Sequence, residues 1–310
     1  MPMPRSRKQN QMLFLKGMAM GAADIVPGVS GGTMALISGI YEEFVDSLKS
    51  ISSAPKVLFN QGVVKAWKHI NGNFLLVLVL GIGTSLISLV QFIKYALVEH
   101  PILLWSFFFG LILSSTYFVA KGVKKWNIAK VIVFLIGGAL IFYVTTVAPA
   151  ESSEAPWFIF LSGALAICAM ILPGISGAFI LVLLGKYAYV IEALSDMNIK
   201  VIAFFGTGCI AGLLAFSHLL SWMLKRYHDI TIALLSGFML GSLNKIWPWK
   251  EVLEWGLDRH GEKVAVIESN VMPFQFDGDP QFFSALFLAL FGFSLIFIFE
   301  GMAKKKKNAA

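Results

Sequence analysis

The chain has 310 residues, 57% of them hydrophobic and 14% charged, and its mean hydropathy is +0.76. This composition excludes an ordinary soluble domain and predicts a polytopic membrane protein. The net charge of +7 does not indicate a nucleic acid partner, because most Lys and Arg residues lie in short loops between apolar runs and at the two ends. Cys168 and Cys209 lie in apolar runs without metal-ligand spacing, so we expect small packing residues there.

The first apolar segment is interrupted before it is long enough to cross a bilayer. Residues 12–26 are apolar but fall short of the roughly 20 residues that a span needs. Pro27 and Gly28 then break the helix, since Pro lacks an N–H and Gly adds backbone freedom. A second short apolar helix is expected at 33–48. We therefore predict a re-entrant helical hairpin over 12–48 that enters and leaves on one side of the membrane.

A connector and three spans complete the first predicted repeat, residues 1–147. The connector, residues 49–73, mixes lysines with Val63, Val64 and Trp67, which is typical of an amphipathic helix on the membrane surface. Apolar runs of spanning length follow at 74–97, 102–120 and 130–147.

The second predicted repeat, residues 157–303, has the same plan. A hairpin is expected over 157–194, with its return arm at 178–194, and three spans follow. A long polar loop, which contains more Asp and Glu than Lys and Arg, separates the last two spans. These spans lie near 200–224, 231–247 and 282–302, and the loop covers 248–281.

The two breaks are copies of one motif. Pro27–Gly31 reads Pro-Gly-Val-Ser-Gly and Pro173–Gly177 reads Pro-Gly-Ile-Ser-Gly. Helices broken at membrane depth need protein or a water-filled cavity around their free backbone groups, and paired breaks in two halves are typical of a transporter site. The alternative is a pair of proline kinks in ordinary spanning helices. Further identical pairs at the same offset include Gly39 with Gly185 and Tyr41 with Tyr187.

The charges of the loops predict the orientation. If both hairpins are re-entrant and the N-terminus is cytoplasmic, the basic turns and the lysine-rich connector lie inside, and the acidic loops 150–156 and 248–281 lie outside. Each half then has three spans, an odd number, so the halves are inverted and both termini are cytoplasmic. The predicted fold is an all-α polytopic membrane protein with one integrated domain. It consists of two inverted-topology repeats, each a re-entrant helical hairpin plus three transmembrane helices, and the hairpin tips meet near the midplane.

These motifs resemble those of a known bacterial family. Gly21–Thr33, Gly39–Glu42 and Ile171–Gly177 are similar to the signatures of the polyprenyl-phosphate transporters, the PopT family, formerly a membrane family of unknown function. The resemblance covers nearly the whole chain. It implies a flippase that returns undecaprenyl phosphate from the outer to the inner leaflet of the bacterial cytoplasmic membrane. The lipid carrier is then reused for peptidoglycan and other cell-envelope polymers.

A phosphate head group that crosses hydrocarbon needs a replacement for its hydration, because a bare buried charge is prohibitively costly. Helices that begin after the two breaks offer free N–H groups, and hydroxyl groups add donors. The second copy has Ala178 and Phe179 where the first has Gly32 and Thr33, so we expect polar contacts mainly from the first hairpin. The predicted phosphate-binding residues are Gly28, Ser30, Gly31, Gly32, Thr33, Gly174, Ser176 and Gly177.

Asp24 is an ionisable residue at membrane depth and therefore a functional candidate. A charged carboxylate beside the site would repel phosphate, whereas low polarity and a neighbouring anion favour the protonated form. Asp24 is therefore a candidate for coupling transport to protons. The alternative is a structural role, in which the carboxylate accepts bonds from loop N–H groups or caps a helix.

Four other polar residues within the apolar runs are secondary candidates. Glu42 is expected near the cytoplasmic end of the first hairpin, where it meets water. Lys94 and Lys186 are expected toward the outer side, where they either attract the head group or snorkel to the interface. His218 is either a packing residue or a proton relay. The indole rings of Trp105, Trp126, Trp157, Trp222 and Trp247 are expected to anchor the chain at the interfaces.

Two rival functions stay open from the residues alone. Gly- and Ser-rich helix ends would also suit a small anion, so a channel or exchanger is an alternative. A lipid pyrophosphate phosphatase resembles the chain in outline, but its Pro-Gly-x-Ser motif continues with Arg, whereas Ser30 and Ser176 are followed by Gly. No Arg is available there to hold a transferring phosphoryl group, so we expect a lipid transporter and not an enzyme.

The expected partners are undecaprenyl phosphate and membrane lipid. No spacing in the sequence supports a metal site, a nucleotide-binding loop or a nucleophilic triad, so we expect no cofactor and no metal. A homo-oligomer stays open, and the residues give neither the coupling ion nor the direction of transport.

Overall fold

The computed structural model describes residues 5–25, 29–147, 153–257 and 263–307. Fourteen helices and two strands lie in these ranges, together with a 3-10 turn at Ile51–Ser53. The first half contains α1 Arg7–Ile25, α2 Gly31–Ile37, α3 Tyr41–Ser50, α4 Ala54–Gln61, α5 Val63–His69, α6 Gly72–Glu99, α7 Pro101–Lys121 and α8 Ile128–Thr146. The second half contains α9 Pro156–Ile171, α10 Gly177–Leu183, α11 Tyr187–Ser195, α12 Ile199–Arg226, α13 His228–Ser242, β1 Lys250–Leu257, β2 Lys263–Asn270 and α14 Phe282–Lys307.

We call the connection between Ile25 and Gly31 the first break and the connection between Ile171 and Gly177 the second break. After each break the return arm is divided into two helices, so the prediction of one short helix at 33–48 is wrong. Gly39 and Gly185 stand at the divisions with φ values of +71° and +60°. A left-handed backbone ends a right-handed helix, and Gly adopts it at little steric cost. The helices α10 and α11 meet at a bend of 110°.

The predicted amphipathic connector forms the 3-10 turn, α4 and α5. Gly62, with φ +83°, separates the two helices. The side chains of Phe59, Val63 and Val64 are largely exposed, with Phe59 at 87%. A surface segment with lysines and exposed apolar residues is suited to the boundary between lipid and water.

Four helices of the described chain, α6, α7, α8 and α12, are long and apolar enough to cross a membrane, or up to five spans if the bent pair of α10 and α11 counts as one. The protein is therefore a multi-pass membrane protein. The other two predicted spans coincide with α13 and α14. The α13 helix ends at Ser242 and continues as turns to Ile246, so it is shorter than the predicted 231–247.

Helices of the two halves pack against each other along most of their lengths. Within the halves, α1 packs along α6 and α9 along α12, whereas α7 packs along α14 and α8 along α13. Glycines allow the close approach: a Cβ at Gly110 would lie 1.8 Å from the carbonyl oxygen of Ala289, and one at Gly237 would lie 2.2 Å from that of Phe134. The two breaks lie inside this assembly, because Tyr41, Val45, Ala169 and Ile171 belong to one buried apolar cluster with residues of α13.

The loop between α13 and α14 contains a two-stranded β-hairpin, a local exception to the mostly helical fold that the sequence predicted. Strands β1 and β2 are antiparallel, and Lys250 is paired with Asn270 at the open end. Residues 248–281 were predicted from their charges to be a polar loop, without a strand. The β-branched residues Val264, Val266 and Ile267 are the signal that was missed.

Candidate substrate site

The first break is closed by side chains of the motif itself. The Asp24 carboxylate Oδ1 accepts a hydrogen bond from the Gly31 N–H at 2.7 Å. The Ser30 Oγ accepts one from the Gly32 N–H at 3.0 Å and so caps α2. A Cβ at Gly31 would lie 2.6 Å from Asp24 Oδ2, so glycine at this position lets the carboxylate approach. Gly28 lies outside the described residues.

The two breaks contact each other, as the sequence predicted. The Ser30 hydroxyl lies 3.0 Å from the carbonyl oxygen of Leu172 and 3.2 Å from that of Met170. In return, the Gly174 N–H donates to Thr33 Oγ1 at 2.9 Å. Ser30 and Thr33 are buried, with at most 1% of their surface exposed. Polar groups of two segments far apart in the chain therefore satisfy each other within an apolar core.

Tyr41 adds a third link between the segments. Its phenol, which is 2% exposed, donates to the carbonyl oxygen of Ile171 at 3.0 Å. A Cβ at Gly32 would lie 2.3 Å from the same oxygen, so glycine at this position allows the two breaks to touch. Tyr41 was not among the site residues predicted from the sequence, although its identity with Tyr187 in the repeat was the available signal.

The second break is less well supplied with side-chain donors. Ser176 precedes α10, but its side chain makes no capping bond. Gly174 has φ +84°, and a Cβ there would lie 2.9 Å from the Phe238 carbonyl oxygen. A Cβ at Gly177 would lie 2.6 Å from the Ala166 carbonyl oxygen. The glycines of this break therefore serve its packing against α9 and α13.

A cavity of about 770 Å³ opens beside the turn at Gly39, on the side of the first broken segment that faces α5 and the start of α6. Its carboxylates have side-chain partners: Glu42 lies 3.0 Å from the His228 imidazole, and Glu43 pairs with Arg5. The Glu42 side chain is thus exposed in this cavity, beside Tyr41. The lining residues are Leu36, Gly39, Tyr41, Glu42, Glu43, Asp46, Ser47, Ser50, His69 and Asn71.

Polar bonds tie α3 to α12. Asp46 Oδ1 accepts from the Ser221 hydroxyl and Asp46 Oδ2 pairs with Lys225, each at 2.7 Å. His218 belongs to the same seam, because its Nε2 lies 3.3 Å from Ser52 Oγ and its Nδ1 lies 2.7 Å from the carbonyl oxygen of Leu214. His218 is exposed, and both of these contacts are polar.

The corresponding helices of the second half are not closed in this way. By the sequence repeat, α11 corresponds to α3 and α6 corresponds to α12. In the described chain, α11 packs against α10 and α12 and makes at most marginal contact with α6. Tyr187 and Leu194 of α11 and Ile87 of α6 are exposed. The two ends of the assembly therefore differ, one being sealed by a polar seam and the other not.

Of the two lysines predicted at the outer side, Lys186 is the one whose side chain the structure describes. Lys186 is buried, with 3% of its surface exposed, and its Nζ lies 5.0 Å from the centre of the Tyr189 ring and 5.9 Å from that of Phe158. Snorkelling, the alternative considered for it, is therefore wrong. Lys94 lies in α6, and its side chain lies outside the described part of the structure.

A pair of lysines that the sequence analysis missed lies at the base of the β-hairpin. Lys245 Nζ and Lys250 Nζ both contact Glu268 Oε2, at 3.3 and 3.4 Å. Burial lowers the pKa of Lys250 to about 8, against the opposing effect of Glu268. Burial alone would raise the pKa of Glu268, but Lys250 and Lys245 hold it below its usual range. The Lys250 Nζ lies over the ring of Trp105, 4.3 Å from the ring centre. Trp105 was expected only as an interface anchor.

The fold and the joined breaks define a multi-pass membrane protein that gathers polar groups in its apolar interior, which is the class of transporters with broken helices. A family model described as undecaprenyl phosphate translocase-like matches residues 20–264. The chain belongs to this family.

Two relatives agree with this assignment. The polyprenyl-phosphate transporter of Vibrio cholerae is 46% identical over 298 residues, which cover 94% of this chain and 96% of the relative. The polyprenyl-phosphate transporter of Staphylococcus aureus is 32% identical over 242 residues, which cover 72% and 81%. No solved structure matches the chain. The family and both relatives are named for transport, so the prediction of a transporter and not an enzyme is confirmed.

Proposed function

We propose that the protein is a flippase for undecaprenyl phosphate or a closely related polyprenyl phosphate. It returns the lipid carrier from the outer to the inner leaflet of the bacterial cytoplasmic membrane for cell-envelope synthesis. Membership of the translocase-like family and the names of both relatives support the substrate class. The contact between the breaks, through Ser30 with Leu172 and Thr33 with Gly174, is the observation that carries the proposal.

Our proposal for the architecture is two inverted repeats, residues 1–147 and 157–303, each with a re-entrant hairpin and three spans. The exchange of partners between halves, with α7 on α14 and α8 on α13, supports it, because the two-fold axis of an inverted repeat would exchange these two pairs. The loop charges support cytoplasmic termini and an outer β-hairpin.

In the proposed mechanism the phosphate crosses where the breaks meet, while the prenyl tail stays in lipid. In this structure the Ser30 hydroxyl and the Gly174 N–H donate to protein oxygens. Each such neutral hydrogen bond contributes a net stabilisation of about 1 kcal/mol. Hydrogen bonds to an anion are about twice as strong as neutral ones. A phosphate group can therefore displace these bonds, and the breaks separate around it.

The difference between the two ends supports alternating access. We assign the α3–α12 seam, held by Asp46, Ser221 and Lys225, to a closed cytoplasmic gate. The side between α6 and α11, where the helices make at most marginal contact, is then the outer entrance through which the lipid arrives sideways. In the opposite state α11 closes on α6 and the seam opens, as inverted repeats require.

Asp24 is proposed to couple this cycle to protons. Its carboxylate holds the Gly31 N–H, which is one of the donors that a phosphate needs. Protonation removes the negative charge and weakens that bond, so the amide becomes available to the head group. The same contact between Asp24 and the Gly31 N–H also supports the structural alternative, in which Asp24 only closes the break.

The test uses purified protein in vesicles that carry a prenyl phosphate, with an impermeant probe that reports head groups on the outer surface. We expect the outer pool to exchange with the inner pool only in vesicles that contain the protein. The same vesicles are assayed for chloride conductance and for phosphate release from the pyrophosphate lipid. Conductance without lipid exchange would favour the channel, and phosphate release would favour the phosphatase.

A further inference from the structure

Within the part of the chain that the structure describes, the two lysines beside the β-hairpin are paired with a single carboxylate, that of Glu268. Lys245 and Lys250 share one carboxylate oxygen of Glu268, so the two ammonium groups lie close together. Only 9% of the Lys250 side chain and 25% of the Lys245 side chain are exposed. Burying an ammonium group costs free energy unless it is paired, and one carboxylate pairs with one charge. An anion with two negative charges would match this cluster better than Glu268 alone.

The cluster lies next to the second break. Lys245 follows Ser242, the last residue of α13, whose Oγ would lie 3.1 Å from a Cβ at Gly174. The Lys245 Nζ also lies 5.3 Å from the centre of the Phe179 ring in α10. The lysines are therefore placed at the outer approach to the joined breaks, within a few residues of the second motif.

Hydrogen bonds hold the cluster in place without using the lysines. The Asn270 side-chain amide donates to the backbone and side-chain oxygens of Asn244, at 2.8 and 2.9 Å. Asn244 in turn donates to Thr145 Oγ1 at 2.9 Å, which connects the cluster to α8. The Trp247 indole donates to the carbonyl oxygen of Val271 at 2.8 Å. A site whose supporting shell is already bonded loses little entropy when a ligand binds.

We propose that Lys245 and Lys250 form a receptor for the phosphate monoester head group of the lipid before it reaches the breaks. Glu268 occupies the anion position while the site is empty, and the head group displaces it. A phosphate monoester carries a charge of about −1.5 to −2 at neutral pH, which two ammonium groups balance. This inference rests on the proposed function, since it names the first docking point on the same route.

The experiment measures binding of farnesyl phosphate, a short prenyl phosphate, to the full-length protein in detergent by calorimetry. We expect the double variant K245Q/K250Q to bind about tenfold more weakly, or ~1.4 kcal/mol. We expect E268Q to bind more tightly than wild type, because it removes the competing anion. K245R/K250R should retain binding, and K121Q is the matched control, because Lys121 also lies over an aromatic ring, that of Tyr117.

The predicted changes in affinity have opposite signs for K245Q/K250Q and E268Q, and this difference separates docking from a structural role. If the cluster only fastens the β-hairpin, E268Q and K245Q/K250Q will both leave binding unchanged or both weaken it, and the proposal is overturned. Thermal unfolding of each variant identifies any that fail to fold. If the double Gln variant does, the expected gain in affinity of E268Q decides, and unchanged or weaker binding by E268Q overturns the proposal. Inorganic phosphate is titrated in parallel. If it binds as tightly as farnesyl phosphate, the site takes free phosphate and the lipid assignment is wrong.

Lipid transport by the wild-type protein in vesicles tests the proposed function separately from the lysine receptor. If wild-type protein moves prenyl phosphate while K245Q/K250Q binds it normally, the receptor is disproved and the flippase stands. If wild-type protein moves no lipid, the flippase fails whatever the lysines do. A lysine-dependent rise in affinity with normal wild-type flux supports both.

Discussion

The Ser30 hydroxyl lies 3.0 Å from the carbonyl oxygen of Leu172, a residue 142 positions later in the chain. One side chain of the first motif therefore closes on the backbone of the second motif. Because Ser30 also caps α2 through the Gly32 N–H, the same hydroxyl stabilises one helix start and joins the two halves.

Replacing Ser30 by Ala should impair both roles. Loss of an N-cap costs about 1 kcal/mol, and we expect a fall of that order in stability and a fall of about tenfold or more in lipid transport. Ser38→Ala is the matched control, since its hydroxyl bonds only to Ala35 within the same turn. Thermal unfolding and vesicle flux measure the two effects. Equal behaviour of S30A and S38A would remove Ser30 from the site.

Replacing Gly32 by Ala should force the breaks apart. The added Cβ would lie 2.3 Å from the Ile171 carbonyl oxygen, and backbone must move to relieve the overlap. We expect transport to be lost and the melting temperature to fall. Gly83→Ala, at a helical position with open space around it, should be neutral or slightly stabilising. A normal G32A protein would show that the breaks do not need this contact.

Asp24→Asn should separate the two roles of the carboxylate. Asn keeps an oxygen that can accept from the Gly31 N–H at the position of Asp24 Oδ1, so a structural role predicts near-normal transport. A proton-coupling role predicts slow transport that no longer responds to an imposed pH gradient. Flux with and without that gradient is the measurement. Wild-type gradient dependence in D24N would rule out coupling through this residue.

The sequence could predict the spans and the contact between the breaks, because length, apolarity and the repeated motif carry that information. It could not predict that the return arms divide at Gly39 and Gly185, because an isolated Gly in a short helix is compatible with more than one backbone conformation. The β-hairpin was missed because the charges of its loop outweighed the β-branched residues. Lys245 and Lys250 were missed for a different reason. Their meeting at Glu268 depends on tertiary structure, which loop composition does not contain.

Locking the α3–α12 seam should stop the transport cycle. In a C168A/C209A background, we would replace Asp46 and Ser221 by Cys, because these side chains now meet at 2.7 Å. A short reducible linker between the thiols should abolish flux, and reduction should restore it. Each single Cys variant treated with the same reagent is the control. Undiminished flux in the linked protein would show that the seam is not a moving gate.

The affinity for the prenyl phosphate head group should fall as the pH rises through about 8. Burial lowers the pKa of Lys250 to about 8, so this ammonium loses its proton and its attraction for an anion above that value. The second ionisation of phosphate, near pKa 6, is complete by then and does not mask the change. Within the described residues, Glu268 contacts Lys250, and Lys245 contacts the same oxygen of Glu268. Since the pKa of Glu268 is lowered, that carboxylate stays ionised throughout the range.

Lys250→Arg provides the control for this pH dependence, because a guanidinium remains charged at every pH of the titration. Binding of farnesyl phosphate, measured by calorimetry between pH 7 and pH 9.5, should weaken severalfold in wild type and stay level in K250R. A fall of the same size in K250R would show that Lys250 is not the group that titrates. A level wild-type curve would mean that Lys250 does not contact the head group.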